Sequence, residues 1–367
     1  MTATRIASPT SPANAGDFHF HKPCHCEERS LRRNNLLFEL EIASLSLAMT
    51  KLKMENKMLR KTLLITLLLV LLTACAPQAT PTVAPTAVPT GITLTDGLGR
   101  EIKLDGPAQH IVSLAPSNTE ILFAIGAGSQ VVGRDEFSDY PKEAASVKSV
   151  GGSMGQYSTE AIVALKPDLV LAAEINTPEL VKQLEDLGLK VYYLKNPTTL
   201  EEMYNNLGIV GQLTGHDASG LVDSLKARVK AVDDKIATVT DKPVVFYEID
   251  ATDASKPYSY GPGTFGDLLI ARAGGVNLVS AAGIKDSYPQ VSLEQIVKTN
   301  PAMIFLGDSN YGATAEVVKA RAGWDGIDAV KNNQIFAFDD NLVSRPGPRL
   351  VDGLEQLAKL LHPDLFK

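Results

Sequence analysis

Short apolar strand patterns alternate with helical patterns along most of this chain, and this alternation restricts its possible folds more than any other feature. The apolar runs are too short for helices, and amphipathic segments separate them. In chain order they are IVSLAP, VVG, DLVLAA, VYYL, VVFYEI, MIFLG and IFAFD. Such repetition is typical of α/β folds with largely parallel sheets. A hairpin is predicted before the series, at ITLTDGLGREIKL. A helix is predicted directly after IVSLAP, with Ser117 or Asn118 as its cap.

The longest helical pattern lies between the two sets of strands. Segment 217–239 contains no proline. Its apolar residues recur at three- and four-residue spacing and are Leu221, Leu225, Val229, Val232 and Ile236. We therefore predict two Rossmann-like lobes, residues 92–214 and 241–367, joined by a single long backbone helix at 215–240.

Residues 58–75, MLRKTLLITLLLVLLTAC, have the basic start and apolar run of a secretory signal peptide. The apolar run is shorter than the roughly 20 residues that a spanning helix needs, which disfavours the alternative of an uncleaved anchor. The last four residues resemble the lipobox of bacterial lipoproteins, so we predict lipidation at Cys75. A flexible Pro/Thr-rich tether follows at 76–91.

This N-terminal pattern predicts an extracytoplasmic protein, in the periplasm or on the outer face of the cytoplasmic membrane, that is anchored by its lipid. A signal peptide belongs near the true start of a chain. We therefore interpret residues 1–57 as translated upstream sequence, with Met54 or Met58 as the initiator.

Charge and cysteine content exclude several classes of function. The formal net charge is −7, and from residue 75 onward 25 Lys and Arg stand against 36 Asp and Glu, a net charge of −11. An acidic body argues against nucleic acid as a partner. The three cysteines, Cys24, Cys26 and Cys75, are too few and too badly placed for a disulfide framework or a four-ligand zinc site.

Two motifs suggest other chemistry but lack the required context. Segment 151–155 satisfies the G-x-S-x-G pattern of serine hydrolases, with Ser153 as nucleophile and His216 or His362 as base, yet no buried strand directly precedes it. Segment 261–266 satisfies G-x-G-x-x-G, the pattern of dinucleotide-binding proteins, which requires a tight turn from strand to helix. Here a long loop separates the glycines from the preceding strand, so a Gly-rich loop that opens a helix is expected instead.

A metal-ion receptor is the third alternative. It needs several His, Asp or Glu ligands in one cleft, and the mature chain has only His110, His216 and His362. The cluster formed by His19, His21, Cys24, His25 and Cys26 falls in the upstream segment. No resident metal or cofactor is therefore predicted.

Aromatic and polar residues recur on the predicted loops, where α/β lobes bind ligands. They lie on both sides of the connecting helix, as the walls of an interlobe cleft should. They are Phe137, Tyr140, Met154, Tyr157, Tyr258, Tyr260, Tyr288 and Arg345. Arg345 is expected to bind either a propionate or amide of the ligand or a structural carboxylate in the C-terminal lobe.

Several motifs together resemble the iron-siderophore/cobalamin substrate-binding proteins of ABC importers. The likeness covers residues 92–367 and is closest to the cobalamin-binding branch. Its motifs are IVSLAPSNTEILFAIG, FSDYP, IVALKPDLV, SKPYSYGPGTF, AGGVNLV, YPQVSLEQI and SRPGPRLVDGLEQLAKLLHP. The resemblance implies a monomeric, non-enzymatic receptor with little hinge closure, which delivers a bulky metal chelate to a membrane permease dimer.

The resemblance also implies roles for particular residues. The rings that flank the corrin in the cobalamin branch match Phe137, Tyr258 and Tyr288. The chain departs from the branch at Met154 and at 173–174, where aromatic residues are common. The expected ligand is a cobalt corrinoid, and the alternative is a ferric siderophore or haem.

Two glutamates match the residues with which the family docks onto the permease. Glu160 and Glu294 each follow a serine by two residues, and their surroundings form an internal repeat at an offset of 134 residues. The local alternative is that each carboxylate offsets a helix macrodipole.

Overall fold

The computed structural model of the protein describes residues 91–367, which lie within one unit of the chain, Ala87–Lys367. The predicted upstream segment, signal peptide, Cys75 and all but the last residue of the tether lie outside the described residues. In the described part, no helix is both long enough and apolar enough to cross a bilayer.

The predicted hairpin is confirmed. Strands β1 (Ile92–Thr95) and β2 (Glu101–Leu104) pair antiparallel. At the turn, the Asp96 carboxylate accepts hydrogen bonds from the backbone N–H groups of Leu98 and Arg100, both at 3.0 Å. It also accepts one from the N–H of Tyr193 at 3.2 Å, which attaches the hairpin to the first lobe.

The first lobe is built on a four-stranded parallel sheet in the order β4-β3-β5-β6. The strands are β3 (Ile111–Ser113), β4 (Val131–Arg134), β5 (Leu169–Ala173) and β6 (Val191–Leu194). The helices are α1 (Pro116–Ala124), α2 (Thr159–Ala164), α3 (Pro178–Asp186) and α4 (Leu200–Thr214).

The start of α1 was predicted wrongly. Ser117 or Asn118 was expected to cap this helix, but the cap is Ala115 and the first helical residue is Pro116. Proline is well suited to this position, because its ring sets φ near the helical value and its missing N–H would have no partner there. Asn118 instead donates its amide to the carbonyl oxygen of Leu171 on β5, at 3.1 Å.

The long helix between the lobes is α5 (Ser219–Ile236), and its buried side chains are four of the five predicted ones, Leu225, Val229, Val232 and Ile236. It is the longest helix in residues 91–367.

The second lobe has its own four-stranded parallel sheet, in the order β10-β9-β7-β8. The strands are β7 (Val244–Glu248), β8 (Val276–Asn277), β9 (Met303–Leu306) and β10 (Ile335–Ala337). The helices are α6 (Phe265–Arg272), α7 (Leu278–Ala281), α8 (Leu293–Thr299), α9 (Ala315–Lys319), α10 (Asp328–Lys331), α11 (Asn341–Ser344) and α12 (Leu350–Leu361). Helix α12 packs against α5.

Short 3₁₀ helices complete the described elements. They are Gly128–Gln130, Lys142–Ser146, Ser153–Gly155, Gly307–Tyr311 and Pro363–Phe366.

The two sheets share one topology. In each, the first strand is central, the second lies on one side of it, and the third and fourth lie on the other. The predicted class, α/β with two lobes and parallel sheets, is confirmed. In such sheets, ligands bind outside the carboxyl ends of the strands, where neighbouring connections diverge. The site is therefore expected at these two edges.

Candidate functional site

Loops at the carboxyl ends of both sheets expose large apolar side chains. These are Phe137, Tyr140, Met154, Ile175, Tyr258, Tyr288 and Tyr311. Phe137 is 52% exposed and Tyr288 is 58% exposed. Exposed apolar groups that cluster on one face mark an interaction site.

A buried carboxylate holds the loop that carries Phe137. Asp135, 1% exposed, accepts hydrogen bonds from the Phe137 N–H at 2.9 Å and from the Ser138 hydroxyl. Burial raises the pKa of Asp135, and these hydrogen bonds oppose that shift. Arg134 adds hydrogen bonds to the carbonyl oxygens of Asp135 and Ala144, at 2.8 and 3.0 Å. The Phe137 ring thus projects from a fixed backbone.

Met154 lies at the tip of a tight turn between β4 and α2. Its φ is 49°, and Gly151 and Gly152 have positive φ as well. A Cβ on Gly151 would lie 2.8 Å from the carbonyl oxygen of Gln156, so this turn requires glycine there. Ser153 belongs to the same turn, and α2 begins only at Thr159. This is not the strand-to-helix elbow that a hydrolase nucleophile occupies.

Tyr157 points its hydroxyl into the first lobe. The hydroxyl donates to the carbonyl oxygen of Leu114 at 2.8 Å and accepts from the amide of Asn176 at 2.9 Å. Burial and the nearby Asp135 carboxylate raise the pKa of Tyr157 to about 12. Only the ring of Tyr157 is therefore placed to contact a ligand.

In the second lobe, backbone pairing positions the tyrosines. The Tyr258 N–H donates to the carbonyl oxygen of Asp250 at 2.8 Å, and Tyr258 also bridges to Gln290. This pairing brings the loop of Tyr288 beside that of Tyr258. Tyr258 is 43% exposed, whereas Tyr260 is buried.

Tyr260 supports Tyr288 from beneath. Their ring centroids are 6.0 Å apart at an interplanar angle of 63°. The Tyr260 hydroxyl donates to Asp340 at 2.8 Å, and the Tyr247 hydroxyl donates to the same oxygen at 3.1 Å. Burial raises the pKa of Tyr288, and the Asp340 charge adds to this effect. No sequence pattern singles out Asp340, because its partners are distant in the chain.

A cavity of about 230 Å³ lies between the two lobes. From the first lobe it is lined by Glu174, Lys195, Asn196, Pro197 and Thr198. From the second lobe it is lined by Tyr260, Gly263, Thr264, Phe265, Tyr288, Val343, Ser344 and Pro346. Of the side chains predicted for the site, Tyr288 and Tyr260 line this cavity. Most of the others in the lining were missed, since they lie on loops without a distinctive motif.

Arg345 joins the lobes across the cleft. Its Nη1 donates to Glu120 Oε1 at 3.1 Å and to Asp139 Oδ1 at 2.7 Å. The predicted structural alternative, a carboxylate in the C-terminal lobe, is wrong about the lobe: both carboxylates that bind Arg345 come from the N-terminal lobe. The error arose because these partners are more than 200 residues away in the chain.

The two glutamates of the internal repeat occupy equivalent places. Ser158 caps α2 and Ser292 caps α8, and Glu160 and Glu294 lie exposed in the first turns of these helices. Glu160 in the first lobe and Glu294 in the second are thus equivalent exposed carboxylates, and neither lines the cavity between the lobes.

Within residues 91–367, no group of three or more His, Cys, Asp or Glu side chains is arranged to hold a metal ion. The G-x-G-x-x-G segment forms a loop that opens α6, with Thr264 as its cap.

Comparison with known proteins agrees with this architecture. Residues 111–342 match the sequence profile of the family described as periplasmic binding protein. The chain is 34% identical over 281 residues to an uncharacterised ABC transporter substrate-binding lipoprotein of Bacillus subtilis, covering 75% of this chain and 87% of that one. It is 30% identical over 278 residues to a cobalamin-binding protein of Halobacterium salinarum, covering 74% of each.

Solved structures agree too. A possible iron-binding periplasmic solute-binding protein of Staphylococcus epidermidis superposes with a TM-score of 0.60 and 33% identity, covering 70% of this chain and 99% of that one. The periplasmic haem-binding protein RhuT of Roseiflexus sp. RS-1 superposes with a TM-score of 0.62 and 26% identity, also covering 70% of this chain and 99% of that one. The predicted resemblance is confirmed: the chain belongs to the periplasmic binding protein family.

Proposed function

We propose that this protein is the extracytoplasmic receptor of an ABC importer and that it carries a cobalt corrinoid between its lobes. The observation that carries the proposal is the set of exposed aromatic rings at the facing edges of the two sheets, with Phe137 on one lobe and Tyr258 and Tyr288 on the other. Aromatic rings bind the face of a large planar chelate through burial and stacking.

The charge of the cleft favours a corrinoid over haem. Glu174 and Lys195 are the charged side chains of the cavity lining, and they have opposite signs. Arg345 is already paired with Glu120 and Asp139. A corrin ring bears neutral amides, whereas haem bears two propionates that require cations. The relative from Halobacterium salinarum, named as cobalamin-binding, supports the same ligand class.

Calorimetric titration of the full chain in detergent with cyanocobalamin tests the proposal. Phe137→Ala and Tyr288→Ala should each weaken binding by about 2 kcal/mol, roughly 30-fold, as expected of central anchors. Leu187→Ala is the matched control, because Leu187 is 51% exposed but follows α3 at the opposite edge of the sheet. Unchanged affinity in both aromatic variants would remove these rings from the site.

We also propose that Cys75 carries the lipid and that a permease dimer receives the ligand. The relative from Bacillus subtilis, named as a lipoprotein, supports the anchor. When protein expressed in the native host is partitioned between a detergent phase and an aqueous phase, the wild type should enter the detergent phase and Cys75→Ser the aqueous phase. Wild-type protein whose intact mass lacks a lipid would contradict this placement.

A further inference from the structure

Glu120 is a buried carboxylate of the first lobe whose partners come from the second. It lies on α1 and is 2% exposed. Arg349 binds it with two hydrogen bonds, from Nε to Oε2 at 2.8 Å and from Nη2 to Oε1 at 2.5 Å. Arg345 adds the third, at 3.1 Å. These arginines are 225 and 229 residues from Glu120 in the chain.

The same arginines hold the loop of the predicted ligand aromatics. Arg345 Nη2 donates to the carbonyl oxygen of Phe137 at 3.2 Å, and its Nη1 binds Asp139 at 2.7 Å. The Arg349 guanidinium lies 4.0 Å from the centroid of the Tyr140 ring, a cation–π distance. The loop of residues 135–141 is therefore fixed from both sides, by Asp135 within its own lobe and by the arginines of the other.

The cluster contains three poorly exposed charges, one carboxylate and two guanidiniums, and the exposed carboxylate of Asp139 balances them. The side chains of Arg345 and Arg349 are 13% and 12% exposed. Burial lowers the pKa of Arg349, but the hydrogen bonds and charge of Glu120 outweigh it and the net shift is upward. Separation of the lobes at this point would take both arginines away from Glu120 and leave its buried carboxylate unpaired, which is costly.

We propose that Glu120, Arg345 and Arg349 form an interlobe clamp that sets the lobe spacing and positions Phe137 and Tyr140 at the cleft, with Arg345 acting as a positioning residue rather than a ligand contact. The positioning part of this inference rests on the proposed function, and the part concerning lobe spacing does not. The clamp adds a second connection between the lobes, remote in sequence from α5.

Distances between spin labels test the clamp without any ligand. Residues 91–367 contain no cysteine, so the full chain in detergent with Cys24, Cys26 and Cys75 changed to serine accepts labels at chosen sites. Gln183 on α3 and Lys298 on α8 are exposed positions, one on each lobe, for substitution by cysteine. The parent should give one narrow distance distribution, and cyanocobalamin should change it little.

Two variants remove the clamp in different ways. Glu120→Gln keeps the shape but leaves the arginines in excess. A triple variant, Glu120→Leu with Arg345→Met and Arg349→Met, replaces every buried charge with an apolar group, a change that commonly preserves folding. Both variants should broaden the distribution of interlobe distances and weaken cyanocobalamin binding about tenfold or more. The triple variant should still unfold cooperatively.

Glu248→Gln is the matched control, since Glu248 and Arg321 form a buried ion pair within the second lobe, with bonds of 2.5 and 2.8 Å. It should destabilise the protein without changing the interlobe distances. Distances that stay as narrow in the folded triple variant as in the parent would overturn the clamp. Broadened distances with unchanged affinity would overturn the positioning role. A parent that binds no cobalamin would refute the corrinoid proposal, while the distances would still decide the clamp.

Discussion

At the scale of single residues, Asp308 shows how packing changes the properties of a carboxyl group. It follows β9, and one of its oxygens accepts a hydrogen bond from the Ala251 N–H at 3.2 Å. The other oxygen is buried and has no hydrogen-bond partner among residues 91–367. Burial and repulsion from Glu248 raise the pKa of Asp308 from 3.8 to about 6.

This shift predicts that stability depends on pH. Between pH ~4 and ~6 the folded state retains a proton that the unfolded state has lost, so the free energy of unfolding falls as pH rises through this window. Because Asp308 remains partly exposed, we expect a cost of only about 1 kcal/mol at pH 7. Asp308→Asn should recover it and flatten the pH dependence in urea unfolding.

Asp253→Asn is the control for this experiment. Hydrogen bonds from Ser255 lower the pKa of Asp253, so its contribution to stability is present at neutral pH and is lost as pH falls. The two substitutions should therefore change stability at pH 7 in opposite directions. Identical pH profiles for wild type and Asp308→Asn would show that this carboxyl is not perturbed.

At the scale of elements, the apolar runs predicted the longer strands of both sheets because these runs are bounded by turn residues and most of their side chains are buried. The two-residue strand β8 was missed, since a run that short has no recognisable period. The cap predicted for α1 was wrong because Pro116 favours the first helical position, which makes Ala115 the cap and places Ser117 inside the helix.

The site residues were harder to predict than the strands. The segment YSY does not indicate that Tyr260 is buried and Tyr258 exposed. The partners of Arg345 could not be predicted because they are more than 200 residues away in the chain.

Helix α6 makes the support of Tyr288 depend on a glycine. A Cβ on Gly266 would lie 2.3 Å from atoms of the Tyr260 ring, so the helix can pack against that ring only without a side chain. Gly266→Ala should displace Tyr260, destabilise the protein by about 1–3 kcal/mol and weaken ligand binding. Chemical unfolding and calorimetry measure the two effects.

Gly208 provides the contrast. It lies within α4, and a Cβ there would meet nothing within 4 Å. Gly208→Ala should stabilise the protein by about 0.5–1 kcal/mol, because alanine loses less backbone entropy on folding. If both alanine variants had the same stability, the close contact between Gly266 and Tyr260 would carry no cost.

At the scale of the whole molecule, two lobes of equal topology each present one glutamate after a serine cap. The family resemblance implies that Glu160 and Glu294 dock onto the permease, and two separated charge contacts would fix the orientation of the receptor. The double variant Glu160→Ala with Glu294→Ala should leave chelate affinity intact and abolish uptake by cells that carry the cognate permease.

Two other first-turn glutamates serve as controls. Glu179 on α3 and Glu316 on α9 each follow a threonine cap, one in each lobe, and are exposed. Their double alanine variant removes the same helix-dipole contribution but should transport normally. Equal uptake by both double variants would leave Glu160 and Glu294 with a local role in their helices.

The corrinoid proposal is tested most directly by comparing ligands on the wild-type protein. Visible absorption titrations of the full chain in detergent with cyanocobalamin, haem and a ferric siderophore report binding through the chromophore of each ligand. If the ligand is a corrinoid, one cyanocobalamin per chain should bind saturably and at least tenfold more tightly than haem or the ferric siderophore. Tighter binding of haem or of the ferric siderophore, or no binding of cyanocobalamin, would contradict the proposal.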